Sequence, residues 1–432
     1  MKNRKALALI AILALVAAAC GGSDGGSDEA VVEVETTEAP ATTEAPTTTA
    51  APAPASDPLI LASLMPLSGD LASLGPGIAL GAALAVEQIN AAGGINGQPV
   101  QLIEGDSGCD GAVALTSLND VIAQGAQGVM GAACSGTSLA ILDTAIAAEV
   151  VMVSPSNTSP QFTKIDKKGF YARTAPSDLL QGDVLASLLV EDGVQTVSII
   201  SRADSYGRGL AEATAAAFEA AGGTVKTIVY HATDATEFTS EVTAVGKGGA
   251  DAIVGILFPE TGCGVLQPAF EQGLLDTPWY MTDGVKDAGL ASLCGLGTAL
   301  DGFKGTAPGS AAGEAKDAFE AAYAEVSADG SPTFIFAPQA YDAVMLMAIS
   351  AAANGVTGPE IASGLVAASS GGEKCIGVAC IALAADGVDV DYVGASGEIE
   401  LNAVGDPTAA TYDLWTTEGD TNPVLKSVDF GS

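Results

Sequence analysis

Side chains that could do chemistry cluster at residues 131–141, which read GAACSGTSLAI. Cys134 and Ser135 stand within three residues of Thr137 in an otherwise small and apolar stretch. Such a group can be a nucleophile with the residues that assist it, one half of a disulfide, or a set of hydroxyls that hold a ligand. Which of these it is decides whether the chain is an enzyme or a binding protein.

Nucleophilic catalysis has little support elsewhere in the sequence. Ser135 does not lie in the GxSxG turn of hydrolases. The chain has 1 histidine, His231, which we expect in a solvent-exposed loop rather than as a base. The cysteines and the histidine of this sequence do not have the spacing that is typical of zinc sites. The sequence therefore predicts a protein that is not an enzyme, with no catalytic residue, no cofactor and no metal.

A nucleotide site is also disfavoured. Gly75, Gly77 and Gly81 form a loose GxGxxxG, and Glu104 and Asp106 end the next predicted strand. The loop SGDLASL, however, separates the first strand from these glycines, so the tight strand-to-helix turn of a dinucleotide fingerprint is missing.

Charge and the amino terminus restrict the location and the partners. The net charge is −36 with 16 Lys and Arg, which argues against nucleic acid as a partner. Residues 1–20 have the basic, apolar and small-residue parts of an export signal, and Cys20 is placed for lipidation; an ordinary secretory signal is the alternative. Residues 21–57 contain two TTEAP repeats and predict a disordered linker.

The remaining cysteines are even in number, which in an exported protein indicates disulfides. Six cysteines allow fifteen connectivities. Order along the chain favours the neighbour pairs Cys109–Cys134, Cys263–Cys294 and Cys375–Cys380.

Apolar strands alternate with amphipathic helices from Pro58 onward, as in LILASLMPL, PVQLIEGD and VVMVSPS. The same rhythm restarts near residue 176 with VQTVSIIS, TVKTIVY and DAIVGIL. This pattern predicts α/β architecture, with two doubly wound parallel-sheet lobes.

Ligands of open α/β sheets bind beyond the carboxyl ends of strands. The loops expected there, CSGTS and SPSNTSP among them, are rich in hydroxyls and precede helices, whose N-termini attract anions. Asp283, in the loop TDG, supplies the opposite charge. These groups together suit a zwitterion, whose anion would be held by hydroxyls and backbone N–H groups and whose ammonium would be held by the carboxylate.

These loops resemble a known family. Five segments, spread over about residues 58–432, are similar to the branched-chain-type amino-acid-binding proteins of bacterial ABC uptake systems. In chain order they are PLSGDLASLG, EQINAAGGINGQPVQLIEGDSGCD, GAACSGTS, VVMVSPSNTSPQFT and SGEIELNAVGD. The resemblance implies a class I periplasmic-binding fold, with three hinge strands joining lobe 1 (58–175 plus 307–390) and lobe 2 (176–306 plus 391–432). It implies that the lobes close on an amino acid, either aliphatic or a related small zwitterion or amide. The protein then delivers this solute to ABC permease subunits. We expect an extracytoplasmic monomer that touches the membrane only through its lipid anchor.

The same resemblance implies which residues hold the ligand. Ser135, Ser156 and Thr158 would meet the carboxylate and the ammonium from lobe 1. Tyr206 and Phe258 would close the pocket from lobe 2, with Asp283, where the family usually has Glu, on the ammonium. Leu74 stands where some members have an aromatic residue.

Five of these residues have a plainer alternative. Ser156 and Thr158 are also suitable helix caps, Phe258 is also a typical core residue, and Tyr206 and Asp283 also suit turns. At the level of function, the alternative is a ligand-sensing receptor or regulator that uses the same fold without transport.

Overall fold

The computed structural model describes residues 57–331 and 333–430. The predicted signal peptide, Cys20 and the predicted linker apart from Asp57 lie outside the described residues.

The first lobe is built on a parallel sheet of five strands in the order β2-β1-β3-β4-β5. Strands β3 and β4 are buried along their whole length, as expected for a parallel sheet covered on both faces. The strands are β1 (Ile60–Met65), β2 (Gln101–Asp106), β3 (Gly128–Gly131), β4 (Val151–Ser154) and β5 (Tyr171–Arg173). The helices are α1 (Gly75–Ala91), α2 (Gly111–Ala123), α3 (Ser135–Ala147) and α4 (Gln161–Lys164).

The second lobe is built on a sheet of seven strands in the order β15-β14-β10-β9-β8-β6-β7. The strands from β6 to β10 run parallel to one another, and β14 and β15 add an antiparallel edge beside β10. The strands are β6 (Thr196–Arg202), β7 (Thr224–His231), β8 (Ala252–Ile256), β9 (Trp279–Met281), β10 (Lys304–Pro308), β14 (Ala410–Thr416) and β15 (Val424–Phe430). The helices are α5 (Asp178–Glu191), α6 (Ser205–Ala220), α7 (Thr239–Gly246), α8 (Pro259–Glu271) and α9 (Leu290–Leu293).

The chain returns to the first lobe after β10, where α11 packs on α1. A small sheet of three strands follows. These elements are α10 (Glu314–Val326), α11 (Ala337–Asn354), α12 (Gly358–Ala368), β11 (Glu373–Ile376), α13 (Ala379–Ala385), β12 (Val390–Gly394) and β13 (Gly397–Glu398).

The described chain passes between the lobes after β5, after β10 and before β14, which gives the three connections that the resemblance implied. Two sequence-based boundaries cut through paired structure. Strand β10 extends to Pro308 past the boundary at 306, and β12 pairs with β11 across the boundary at 390.

Two glycines of the loose GxGxxxG are needed for packing. A Cβ on Gly75 would lie 1.8 Å from the carbonyl oxygen of Pro66, and one on Gly81 would lie 2.2 Å from that of Ala337. These glycines therefore let α1 approach the first strand and α11 closely, which accounts for them without a phosphate.

The structure forms the three neighbour disulfides, Cys109–Cys134, Cys263–Cys294 and Cys375–Cys380. Among the described helices none combines the length and the apolar character needed to cross a membrane.

The expectation that His231 lies in an exposed loop is wrong. Strand β7 continues through this residue, and its ring meets the ring of Phe238 edge-on at 4.9 Å between centroids. The side chain is fully buried, and burial lowers the pKa of His231.

Candidate functional site

A small cavity, part of it open to solvent, lies between the two lobes at the carboxyl ends of their strands. Both lobes contribute to its wall. The lining residues are Leu71, Leu74, Ile78, Ala133, Cys134, Ser135, Ser156, Tyr206, Phe258, Asp283, Gly284 and Phe336.

The loop between β3 and α3 forms one part of the first-lobe wall. Its carbonyl at Ala132 accepts hydrogen bonds from Ser138 Oγ (3.1 Å), Ser154 Oγ (2.8 Å) and Asn157 Nδ2 (3.1 Å). The disulfide from Cys134 to Cys109 fixes the residue before the helix. The three hydrogen bonds and the disulfide therefore hold this loop, and they fix the position of the first turn of α3 at the cavity.

Ser135 and Ser156 place hydroxyls beside this helix start. Ser135 is the first residue of α3, where backbone N–H groups have no partner within the helix. Its Oγ accepts a hydrogen bond from the N–H of Ser159 at 3.4 Å, and Ser156 Oγ donates to the carbonyl of Ala133 at 3.1 Å. Hydroxyls and the positive end of the helix dipole together favour an anionic group at this end of the cavity.

The rest of the first-lobe wall is apolar. Leu71 and Leu74 come from the loop after β1, Ile78 from the first turn of α1, and Phe336 from the residue before α11. All four side chains are buried. They form an apolar surface that offers no hydrogen-bonding side chain.

The second-lobe wall carries two stacked aromatic rings and a carboxylate. The ring centroids of Tyr206 and Phe258 are 5.3 Å apart. Asp283, which follows β9, accepts hydrogen bonds from Tyr206 Oη at 2.9 Å and Gln181 Nε2 at 2.8 Å. Burial raises the pKa of Asp283 to about 6, while these two donors lower it. The group is therefore ionised at pH 7 and has the chemistry to receive a cation.

A second acid lies behind Asp283. Burial first, and then the neighbouring charge of Asp283, raise the pKa of Asp178 well above its ordinary value. The N–H of Asp178 donates to the carbonyl of Thr158 at 2.8 Å. Thr158 is fully buried and does not line the cavity, in contrast to the six other residues that the resemblance named.

Several lining residues were missed by sequence reasoning. Leu71, Ile78 and Phe336 are apolar residues among other apolar residues, so their residue types do not indicate that they line a binding site. Gln181, which donates to Asp283 but does not line the cavity, was missed because it lies within a helix rather than in a loop. Its position on α5, one turn after the N-terminus, was the available signal for an amide directed at the strand ends.

Within residues 57–331 and 333–430, no group of three His, Cys, Asp or Glu side chains is arranged to hold a metal ion. The polar groups of the cavity are thus hydroxyls, backbone N–H groups and one ionised acid. This combination suits a small organic ion with both charges.

The chain is similar to amino-acid-binding proteins in sequence. It is 34% identical over 238 residues to an amino acid binding protein of Pseudomonas aeruginosa. The aligned region covers 53% of the chain and 62% of that relative's length. It is 29% identical over 304 residues to a leucine-, isoleucine-, valine-, threonine- and alanine-binding protein of the same bacterium, covering 68% of the chain and 78% of that relative.

Solved structures share the fold. The branched-chain amino acid transporter substrate-binding protein LivJ of Streptococcus pneumoniae, in complex with isoleucine, superposes with a TM-score of 0.72 at 23% identity over 87% of the chain and 100% of that protein. The leucine-binding protein LivK of Thermotoga maritima superposes with a TM-score of 0.71 at 20% identity, over 86% of the chain and 98% of that protein.

The family comparison covers most of the chain. The periplasmic binding protein family matches residues 58–374, which include the five-stranded sheet of the first lobe, the strands β6 to β10 of the second and every residue that lines the cavity. The chain therefore belongs to the periplasmic binding protein family.

Proposed function

We propose that this protein captures an amino acid with an aliphatic side chain between its two lobes and delivers it to an ABC importer. Membership of the family implies an extracytoplasmic location. The lobes close on the solute because each holds a different part of it, and a ligand that contacts both lobes favours the state in which both contacts are made.

The division of charge between the lobes carries this proposal. The first lobe offers Ser135, Ser156 and the start of α3, which suit a carboxylate. The second lobe offers the buried carboxylate of Asp283, which suits an ammonium. An α-amino acid presents these two charges a few ångströms apart, so it satisfies both lobes at once.

The apolar wall supports an aliphatic side chain on that amino acid. Leu71, Leu74, Ile78 and Phe336 surround the remaining space. The Pseudomonas aeruginosa relative is named for binding leucine, isoleucine, valine, threonine and alanine, all small side chains. Asp283 reaches one methylene less far than a glutamate, so the ammonium must lie closer to β9 than a glutamate would require.

Calorimetry with four ligands tests the proposal. L-Leucine and L-valine carry both charges, L-leucinamide lacks the carboxylate, and 4-methylpentanoate lacks the ammonium. We expect binding of the two amino acids and a loss of at least tenfold for each of the other two compounds. Equal affinity for L-leucine and 4-methylpentanoate would contradict the role of Asp283, and no binding of either L-leucine or L-valine would contradict the function.

A lipid on Cys20 is the second part of the proposal, and it would keep the binding lobes near the importer. The basic and apolar residues before Cys20 support it. Cells that express Cys20→Ser should release the protein from the membrane fraction. Retention of that variant would count against lipidation. A single peak at the monomer mass in size-exclusion light scattering is expected for the soluble body.

A further inference from the structure

Arg202 joins the two lobes at the rim of the cavity. It ends strand β6 of the second lobe, and its side chain is 3% exposed. Its Nη2 lies 2.8 Å from Oδ2 of Asp70, which belongs to the loop after β1 in the first lobe. Its Nε lies 2.8 Å from Oδ2 of Asp204 in its own lobe, and Nη1 donates to Thr261 Oγ1 at 3.1 Å.

Glu260 contacts the same first-lobe loop. It lies in the first turn of α8, and its carboxylate accepts hydrogen bonds from the N–H of Leu71 at 2.9 Å and from Ser73 Oγ at 3.3 Å. Leu71 has φ of +63°, a conformation that residues other than glycine adopt rarely. Since Leu71 and Leu74 line the cavity, the second lobe fixes part of the first-lobe wall.

The guanidinium of Arg202 also supports the second-lobe wall. It lies 3.9 Å from the ring centroid of Phe258, close enough for a cation–π contact. Phe258 stacks on Tyr206, whose hydroxyl donates to Asp283. One side chain thus touches the opposite lobe and the aromatic pair that positions the carboxylate, without lining the cavity itself.

We propose that Arg202 and Glu260 form a latch that holds the loop at residues 70–73 against the second lobe and sets the rate at which bound solute leaves. The ion pair to Asp70 and the bonds from Leu71 and Ser73 join opposite lobes, so they are broken whenever the cavity opens. Arg202 is a positioning residue in this role. The proposal rests on the proposed function, because the solute concerned is the amino acid of that cavity.

The arrangement also explains how such a latch can be reversible. Asp204 belongs to the same lobe as Arg202 and remains its partner when the lobes separate. Opening therefore removes one of two carboxylates from the guanidinium and leaves no unpaired buried charge. A buried cation with its only partner on the other lobe would oppose opening much more strongly.

Dissociation kinetics test the latch, with the amino acid that calorimetry identifies as ligand. Stopped-flow fluorescence would compare the wild type with Asp70→Asn, Arg202→Gln and the double variant. Truncating a buried pair mainly raises the dissociation rate. We expect an increase of about tenfold in each single variant, no further increase in the double variant, and association rates within about threefold of the wild type.

Asp70→Asn leaves the contact between Arg202 and Phe258 in place, so it reports on the latch even if Arg202→Gln folds poorly. Arg208→Gln is the matched control. Arg208 lies on α6, stacks over Tyr230 at 4.3 Å and donates to the carbonyl of Ala203, all within the second lobe. Its variant should keep the wild-type dissociation rate while it loses the same charge.

A wild-type dissociation rate in Asp70→Asn, or additive effects in the double variant, would overturn the latch. If no amino acid binds the wild type, the proposed function fails instead. Small-angle scattering of the ligand-free proteins then decides the latch alone. A larger radius of gyration for Asp70→Asn than for the wild type supports it, and equal radii overturn it.

Discussion

Two aspartates of this protein are both buried but differ in what surrounds them. Asp283 is 3% exposed and lines the cavity, whereas Asp342 is 0% exposed and lies within α11 in the first lobe. Burial raises the pKa of each to about 6. By exposure and pKa alone they would be indistinguishable as candidates for a functional acid.

Their hydrogen bonds separate them. Oδ1 of Asp342 accepts hydrogen bonds from Tyr392 Oη (2.7 Å) and from the N–H of Ala395 (2.7 Å). Its Oδ2 accepts hydrogen bonds from the N–H (2.8 Å) and the Oγ (2.6 Å) of Ser396. The two side-chain donors to Asp283 both end on Oδ1. Asp342 is thus satisfied by its own protein on both oxygens. Neither side-chain donor to Asp283 occupies Oδ2, as the proposed binding role of this carboxylate requires.

Asp283→Asn should cause the largest loss of binding. The side chain keeps its shape, but a buried ammonium loses its counter-charge, which costs ~2–5 kcal/mol of binding free energy. Isothermal titration calorimetry with the preferred amino acid measures it. Asp342→Asn is the matched control, and a folded Asp342→Asn protein should bind as the wild type does. Equal losses in the two variants would remove the distinction drawn here.

Asp342→Ala should cause the largest loss of stability. It leaves the N–H groups of Ala395 and Ser396 buried without an acceptor, and each unsatisfied group costs ~1–3 kcal/mol. We expect the free energy of unfolding to fall by about 3 kcal/mol in urea denaturation. Asp283→Ala, which leaves its donors facing a cavity, should lose less than half as much.

The sequence was sufficient to predict the fold and much of the cavity wall. Apolar strand segments alternating with helices are a strong signal, and Ser135, Ser156 and Asp283 are polar residues in loops that follow such strands. Their types and positions therefore pointed to the cavity before any distances were known. The neighbour disulfides followed similarly from order along the chain.

The rest depended on contacts between distant segments. Thr158 is only two residues after Ser156, yet it is fully buried, and its carbonyl accepts the N–H of Asp178 at the start of α5. Phe336 reaches the cavity because α11 packs on α1, which no local pattern predicts. Arg202 resembled any charged residue at a strand end, and its partner Asp70 lies 132 residues away.

Binding should weaken in acid through Asp283. Protonation of a group with a pKa of about 6 removes the charge that the ammonium needs, so affinity should fall about tenfold per pH unit below 6 and stay level above 7. Titrations at pH 5, 6 and 7 check this. Asp283→Asn should bind weakly with a flat profile, whereas a wild-type profile without a break near 6 would contradict the assignment.

Stability should change with pH in the opposite sense. Both aspartates have a higher pKa in the folded protein than the ordinary value of about 4. The folded state therefore binds more protons between pH 4 and 6, and the free energy of unfolding decreases as pH rises through that window. Asp283→Asn should reduce this slope in urea denaturation of the ligand-free protein, and an unchanged slope would argue against its raised pKa.

The phenols that serve the two aspartates should give the smallest and most closely matched effects. Tyr206 donates to Asp283 and Tyr392 to Asp342, and loss of one such hydrogen bond costs about 1 kcal/mol. Tyr206→Phe should weaken amino-acid binding about fivefold, since Asp283 then has one donor fewer to hold it in place. Tyr392→Phe should lower the free energy of unfolding by about 1 kcal/mol and leave binding unchanged. Calorimetry and urea denaturation of both variants measure the two quantities side by side. If Tyr392→Phe weakened binding as much as Tyr206→Phe, the first-lobe aspartate would also be coupled to the cavity, and the separation between a structural and a binding carboxylate would not hold.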